Sequence, residues 1–259
     1  MTILDKIIAH KINEVSDLKK KTSLRELEKS RLFTKKTCSL SDQISNPAKT
    51  GIIAEFKRRS PSKGLINSDA DPGVVTRGYS LSGASGLSVL TDNHFFAGSC
   101  ADLTLVSELN TVPVLRKDFI IDEFQVVESK AAGADAILLI ASILEKKKIL
   151  RFAKLAQSLL MEVLLEVHTL QDIQMTNENV NLIGVNNRDL KSFSVNTNVS
   201  LELADKIPYG YLKISESGIS SPATIKMLRN AGFDGFLIGG LFMSEKDPVS
   251  AFSDFVKRI

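Results

Sequence analysis

The 259-residue chain carries 33 Lys and Arg against 30 Asp and Glu, a formal charge of +3, and is 24% charged and 43% hydrophobic. Those proportions exclude a disordered chain and leave room for one large domain with a substantial core. An excess of positive charge this small and scattered, with no basic stripe interleaved with aromatics, does not point to nucleic acid.

The opening "MTILDKIIAHKINEV" interrupts its apolar residues with charge, so neither a secretory leader nor a membrane span is expected there. Ile3, Ile7, Ile8, Ile12, Val15 and Leu18 recur at helical spacing, which predicts one or two amphipathic helices between Ile3 and Leu32. The Lys runs near Lys19 and Lys146 read as solvated helix faces. "SDQISNPAKTG" then reads as a loop by its Ser, Asn, Pro and Gly content.

Short apolar runs follow: "GIIAEF" (51–56), "GLSVLTD" (86–92), "VPVLRKDF" (112–119), "DAILLIAS" (135–142), "MEVLLEVH" (161–168), "NLIGVNNRD" (181–189), "YLKISESG" (211–218) and "DGFLIGG" (234–240). Between them lie longer amphipathic patterns such as "DPGVVTRGYSLSGA", "EKKKILRFAKLAQSLL" and "SPATIKMLRNAG". Parallel strands need a crossover between neighbours, so eight alternating units predict a parallel sheet covered by helices and closed on itself, a (β/α)8 TIM barrel. The boundaries follow: a helical extension over residues 1–48, packed on a barrel over 49–259. A doubly wound sheet is the other arrangement compatible with this alternation, but it calls for a glycine-rich dinucleotide loop, and no GxGxxG occurs.

Barrels of this kind build their sites at the carboxyl ends of the strands. In the first run Ile53, Glu55 and Lys57 share one face, so two charges end an apolar row. Buried charge is costly unless it is paired or used. The third run ends in Lys117, the fifth in Glu166, the sixth in Asn186 and Arg188, the seventh in Glu216 and Ser217, and the last in Gly239 and Gly240. Singly each has a structural explanation. Together, two lysines and three carboxylates at one mouth form a coupled acid–base set, with lysine suited to donate a proton and glutamate to accept one. "SESGIS" and "LIGGLF" offer backbone N–H groups free of a blocking Cβ, which suits a phosphate.

Other chemistry is less favoured. Cys38 and Cys100 form no CxxC pair and no His/Cys cluster, so no metal site and no disulfide is expected, and a reducing cytoplasm fits best. His10, His94 and His168 are less suited as catalysts, and His10 and His168 read as packing or solvated residues. "SPSK" at 60–63 has the SxxK spacing of serine acyl-transferring enzymes, but "KTG" at 49–51 precedes it instead of following, and "TDN" at 91–93 stands in place of SDN.

In this order and spacing "IIAEFKRRSPSKG", "SVLTDNHFFAGS", "VLRKDFIIDEFQV", "LLEVH", "GVNNRDL" and "SESGI" resemble the indole-3-glycerol phosphate synthases, over essentially the whole chain. The resemblance implies a reaction without metal or organic cofactor, in which 1-(2-carboxyphenylamino)-1-deoxyribulose 5-phosphate closes a ring and loses carbon dioxide and then water. It implies Lys117 as general acid, Glu166 in later proton transfers, and Lys57 holding the anionic substrate or acting as an acid in dehydration. Glu55 and Glu216 would orient the lysines, Asn186 and Arg188 would hold the ring carboxylate, and Ser60 would join the first anion-binding loop. Ser217, Gly218, Gly239 and Gly240 would take the phosphate, and Leu90, Phe96 and Phe119 would wall the aromatic ring. Where relatives often carry Glu, Thr or Ser in the last loop this chain reads "IGGLFM", which implies phosphate binding there by backbone groups alone. The absence of Trp suits an enzyme needed when tryptophan is scarce. The expected partner is a small phosphorylated substrate, with no nucleic acid and no membrane, and the expected state is a monomer. Two alternatives stay open: a lysine Schiff-base aldolase and a non-catalytic barrel that binds a phosphorylated metabolite or a protein.

Overall fold

Each apolar run becomes a strand, trimmed by up to three residues at an end. The structure, a computed structural model, describes residues 2–189 and 193–259. The strands are β1 (Ile52–Phe56), β2 (Gly86–Leu90), β3 (Val114–Lys117), β4 (Ala136–Ile140), β5 (Glu162–Val167), β6 (Leu182–Asn186), β7 (Leu212–Glu216) and β8 (Gly235–Ile238). Each lies parallel to the next, and β8 pairs with β1, so the sheet closes as a (β/α)8 TIM barrel.

Alternation along the strands sorts the core. Ile52, Ala54, Val89, Leu139, Val163 and Phe236 face outward onto the helices, while Ile53, Leu115, Leu138, Leu164, Ile214 and Leu237 fill the interior. Two residues beyond Ile53, Leu115, Leu164 and Ile214 on the same face stand Glu55, Lys117, Glu166 and Glu216. The polar layer is therefore the next step of a strand period whose lower steps are apolar. Surrounding helices start where capping chemistry allows: Asp71–Pro72, Ser221–Pro222 and Asp247–Pro248 each put a capping oxygen before a proline at the first helical position.

Ahead of the barrel lie α1 (Ile3–Lys21), α2 (Leu24–Leu27) and α3 (Leu40–Ser45). Thr2 and Asp5 form a capping box that starts α1. Its buried stripe is Ile7, Lys11 and Val15. Lys11 is thus a charge on the inner face: it is fully buried, and its ammonium meets Asp92 at 2.9 Å and Asp118 at 3.0 Å in the loops after β2 and β3.

Helix α3 corrects the sequence expectation of a loop over "SDQISNPAKTG". Ser39 caps it, and Leu40 and Ile44, four residues apart, bury themselves under the lower end of the barrel against Gly86 and Gly235. Local turn chemistry is outweighed by that apolar seat. A short hairpin, Arg59–Ser60 with Gly64–Leu65, and brief helices at Asn93–Phe96, Leu170–Ile173 and Gly240–Met243 also lie beyond what the apolar runs indicate.

Candidate active site

The carboxyl ends of the strands surround a cavity of about 410 Å³, and all fifteen candidate residues line it: Glu55, Lys57, Ser60, Leu90, Phe96, Lys117, Phe119, Glu166, Asn186, Arg188, Glu216, Ser217, Gly218, Gly239 and Gly240. Parallel register brings them level. Leu90 of β2 stands beside Lys117 of β3, and Asn186 of β6 beside Glu216 of β7.

At the centre Lys117 Nζ donates to Glu166 Oε2 at 2.9 Å and to Glu216 Oε2 at 2.6 Å. Asn186 Nδ2 donates to the other Glu166 oxygen at 3.1 Å. Lys57 Nζ donates to Glu55 Oε1 at 2.5 Å. Glycine makes room for two of these carboxylates. A Cβ on Gly239 would lie 2.5 Å from Glu55 Oε1, and one on Gly184 would overlap the Glu216 carboxylate.

The charges shift one another. Burial opposes the ammonium of Lys117, but Glu166, Glu216 and Glu55 outweigh it and raise its pKa, so it stays protonated. Burial likewise opposes ionised Glu166, yet Lys117 and then His168 hold that carboxyl below its ordinary range. Burial pushes Glu216 up to about 7, helped by Glu166 and Glu55 and opposed by Lys117. Glu216 Oε1 is buried without a hydrogen-bond partner among the described residues, which leaves a place for a proton.

The mouth is finished by loops. Ser217 and Gly218 both adopt positive φ, +65° and +76°, and Asn187 pins that turn by donating to the carbonyls of Glu216 and Ser217 at 3.1 and 3.0 Å. Arg188 Nη1 donates to the Phe193 carbonyl at 3.1 Å. Phe96 and Phe119 pack with ring centroids 6.1 Å apart. Ile3, Leu4 and Ile7 of α1 complete the apolar roof. The helical stripe that holds Ile3 and Ile7 was legible in the sequence, but its burial against the site, and the part of Leu4 in it, was not. Lys63, Phe193, Val195 and Ser244 also line the cavity without having been singled out for it.

The histidines lie outside this lining. His168 Nε2 sits 3.1 Å from the Arg188 carbonyl and 3.8 Å from Glu166, behind the carboxylate, while His10 stacks on His94 at 4.5 Å where α1 meets the loop after β2. Ser60 Oγ accepts from the backbone of Lys63 at 3.2 Å. The "KTG" triplet precedes β1 and so lies at the opposite end of that strand from Ser60. Among the described residues no group of three or more His, Cys, Asp or Glu is arranged to hold a metal ion, and no helix is long and apolar enough to cross a membrane.

A sequence model described as indole-3-glycerol phosphate synthase matches residues 4–255. The chain belongs to that family. An indole-3-glycerol phosphate synthase of Bacteroides thetaiotaomicron is 43% identical over 257 residues, covering 99% of this chain and 98% of the relative. One of a Polaromonas species is 41% identical and covers 95% of each. The fold alone is shared with thiamine phosphate pyrophosphorylase from Pyrococcus furiosus, with a TM-score of 0.61 at 12% identity over 85% of this chain and 97% of the other. As an indole-3-glycerol phosphate synthase family member the chain is a carboxy-lyase of tryptophan biosynthesis. Its substrate, 1-(2-carboxyphenylamino)-1-deoxyribulose 5-phosphate, is cyclised, decarboxylated and dehydrated to indole-3-glycerol phosphate.

Proposed function

We propose that Lys117 is the general acid of this reaction and Glu166 its main proton carrier. The observation that carries the reading is the Lys117 ammonium clasped between Glu166 and Glu216 at 2.9 and 2.6 Å inside an apolar-walled cavity. In ring closure the aromatic carbon bearing the carboxylate bonds to the ketone carbon, and the ketone oxygen takes a proton from Lys117. A fixed ammonium stabilises that developing charge best where water is excluded. Carbon dioxide then leaves, its bonding electrons restoring the aromatic ring. Dehydration removes the new hydroxyl as water while the neighbouring methylene loses a proton, with Glu166 as acceptor and Lys57 assisting departure of the hydroxyl.

In this scheme Glu55 holds Lys57 and Glu216 holds Lys117. Asn186 and Arg188 bind the ring carboxylate, with Ser60 in the neighbouring loop. Leu90, Phe96 and Phe119 wall the aromatic ring, while Ser217, Gly218, Gly239 and Gly240 receive the phosphate through backbone groups. The raised pKa of Lys117 keeps it protonated, which weighs against a Schiff-base amine that must be unprotonated to attack. The same reading takes residues 1–48 as an extension that roofs the barrel of 49–259, and the working form as a cytoplasmic monomer.

Turnover is followed by indole fluorescence after adding the substrate. Lys117→Met is expected to lower turnover by roughly two to four orders of magnitude. Near-normal turnover would reject Lys117 as the acid.

A further inference from the structure

Among the described residues four cationic side chains line the cavity: Lys57, Lys63, Lys117 and Arg188. Lys57 is held by Glu55, and Lys117 by Glu166 and Glu216. Arg188 reaches the Phe193 carbonyl and stands two residues beyond the end of β6, on the side where the ring carboxylate is expected. Lys63 differs from all three. Only its backbone N–H is engaged, on Ser60 Oγ, and among the described residues its ammonium meets no acceptor.

Its position is nonetheless fixed from behind. Ser60 pairs with Gly64 across the short hairpin, and Gly64 takes φ +66°, which closes the turn directly after Lys63. The ammonium lies 4.0 Å from where a Cβ on Gly240 would stand, and among the described residues nothing else outside that glycine's chain neighbours and helix backbone comes within 4 Å of that point. Lys63 therefore faces open space at the end of β8.

A phosphate ester near neutral pH carries close to two negative charges. Lys57 and Lys117 are already neutralised by buried carboxylates, and separating such a pair to serve a new anion is costly. An ammonium with no partner to give up is free to supply the missing charge, and charge-assisted contacts to phosphate are the stronger kind. We propose that Lys63 is a binding residue for the substrate phosphate, its ammonium completing a site otherwise made of backbone groups from the ends of β7 and β8. This rests on the reading that the cavity takes the phosphorylated substrate, and it gives the Lys of "SPSK" a role unrelated to acyl transfer.

The test is Lys63→Met, which keeps the alkyl stem and removes the charge from an exposed loop. With the natural substrate KM should rise roughly 10- to 100-fold while kcat stays within about threefold, the pattern of lost uniform binding. Lys63→Arg should keep KM within about fivefold, because the guanidinium also binds phosphate. With the dephosphorylated substrate analogue, Lys63→Met and the parent enzyme should have equal KM values. Direct titration of inorganic phosphate should show affinity weakened by a similar factor in Lys63→Met, and this readout needs no turnover, so it stands even if Lys117 is not the acid. Unchanged KM together with unchanged phosphate affinity would overturn the proposal. So would an equal loss on the dephosphorylated analogue.

Discussion

Glu216→Gln isolates the electrostatic load of the buried acid pair. The carboxyl of Glu216 titrates at 4.5 in the unfolded chain and is pushed up to about 7 in the folded one, by burial first. A raised carboxyl means that the folded state holds its proton more tightly. Between pH 4.5 and 7 the folded state binds more protons than the unfolded state, so stability falls as pH rises through that window and levels off above it. The interval corresponds to about 3 kcal/mol at pH 8. Glutamine mimics the neutral form at every pH. Glu216→Gln should therefore gain stability relative to the parent enzyme as pH rises from 4.5, and exceed it at pH 8. The gain is reduced by about 1–2 kcal/mol where an amide donor replaces the partnerless Oε1. That reduction acts at all pH values, so the difference between pH 5 and pH 8 is the quantity to read. In urea titrations the midpoint of the variant relative to the parent should rise by about 1 M between the two conditions. Parallel pH dependence of the two proteins would refute the raised carboxyl. Turnover should move the other way, falling at least about tenfold because Lys117 loses one of its two holders.

Lys11→Met should cost about 3–5 kcal/mol, because it strips the cation from buried Asp92 and Asp118. Urea titration measures the loss, and faster hydrogen exchange across residues 3–21 would report release of α1 from the mouth. Asp118 itself is opposed by burial but held down at about 2 by Arg116 and Lys11. Its contribution should persist above pH 3.8 and fade as pH falls toward 2, visible as loss of stability in acid. Gly239→Ala should push Glu55 off Lys57, since the new Cβ would stand 2.5 Å from Glu55 Oε1. We expect kcat/KM to fall about 10- to 100-fold, a loss of about 1–3 kcal/mol in transition-state stabilisation. Unaltered kinetics would show that Glu55 does not position Lys57.

The strands and the closed barrel were legible because their signal is local. An apolar run of five or six residues bounded by turn residues reports burial on both faces, and eight such runs separated by amphipathic stretches admit few topologies. The site was legible for a related reason: a polar residue ending an apolar strand is conspicuous, and the fold sends all such ends to one mouth. Helix α3 was not legible, since its six residues carry turn-like composition and owe their conformation to the apolar seat beneath the barrel that receives Leu40 and Ile44.

By itself the sequence determined which residues face inward, where each strand lies to within three residues at its ends, and which charges gather above the core, because these depend on the two-residue period of a strand. Only the tertiary structure decided who pairs with whom. Lys117 lies 49 residues from Glu166 and 99 from Glu216 along the chain, and Lys11 reaches carboxylates in two different loops. Among the described residues the Lys63 ammonium has no partner, although its neighbours in sequence look equally basic. Pairing depends on distances set by barrel closure and on the space that Gly184 and Gly239 leave open, and no local pattern encodes either.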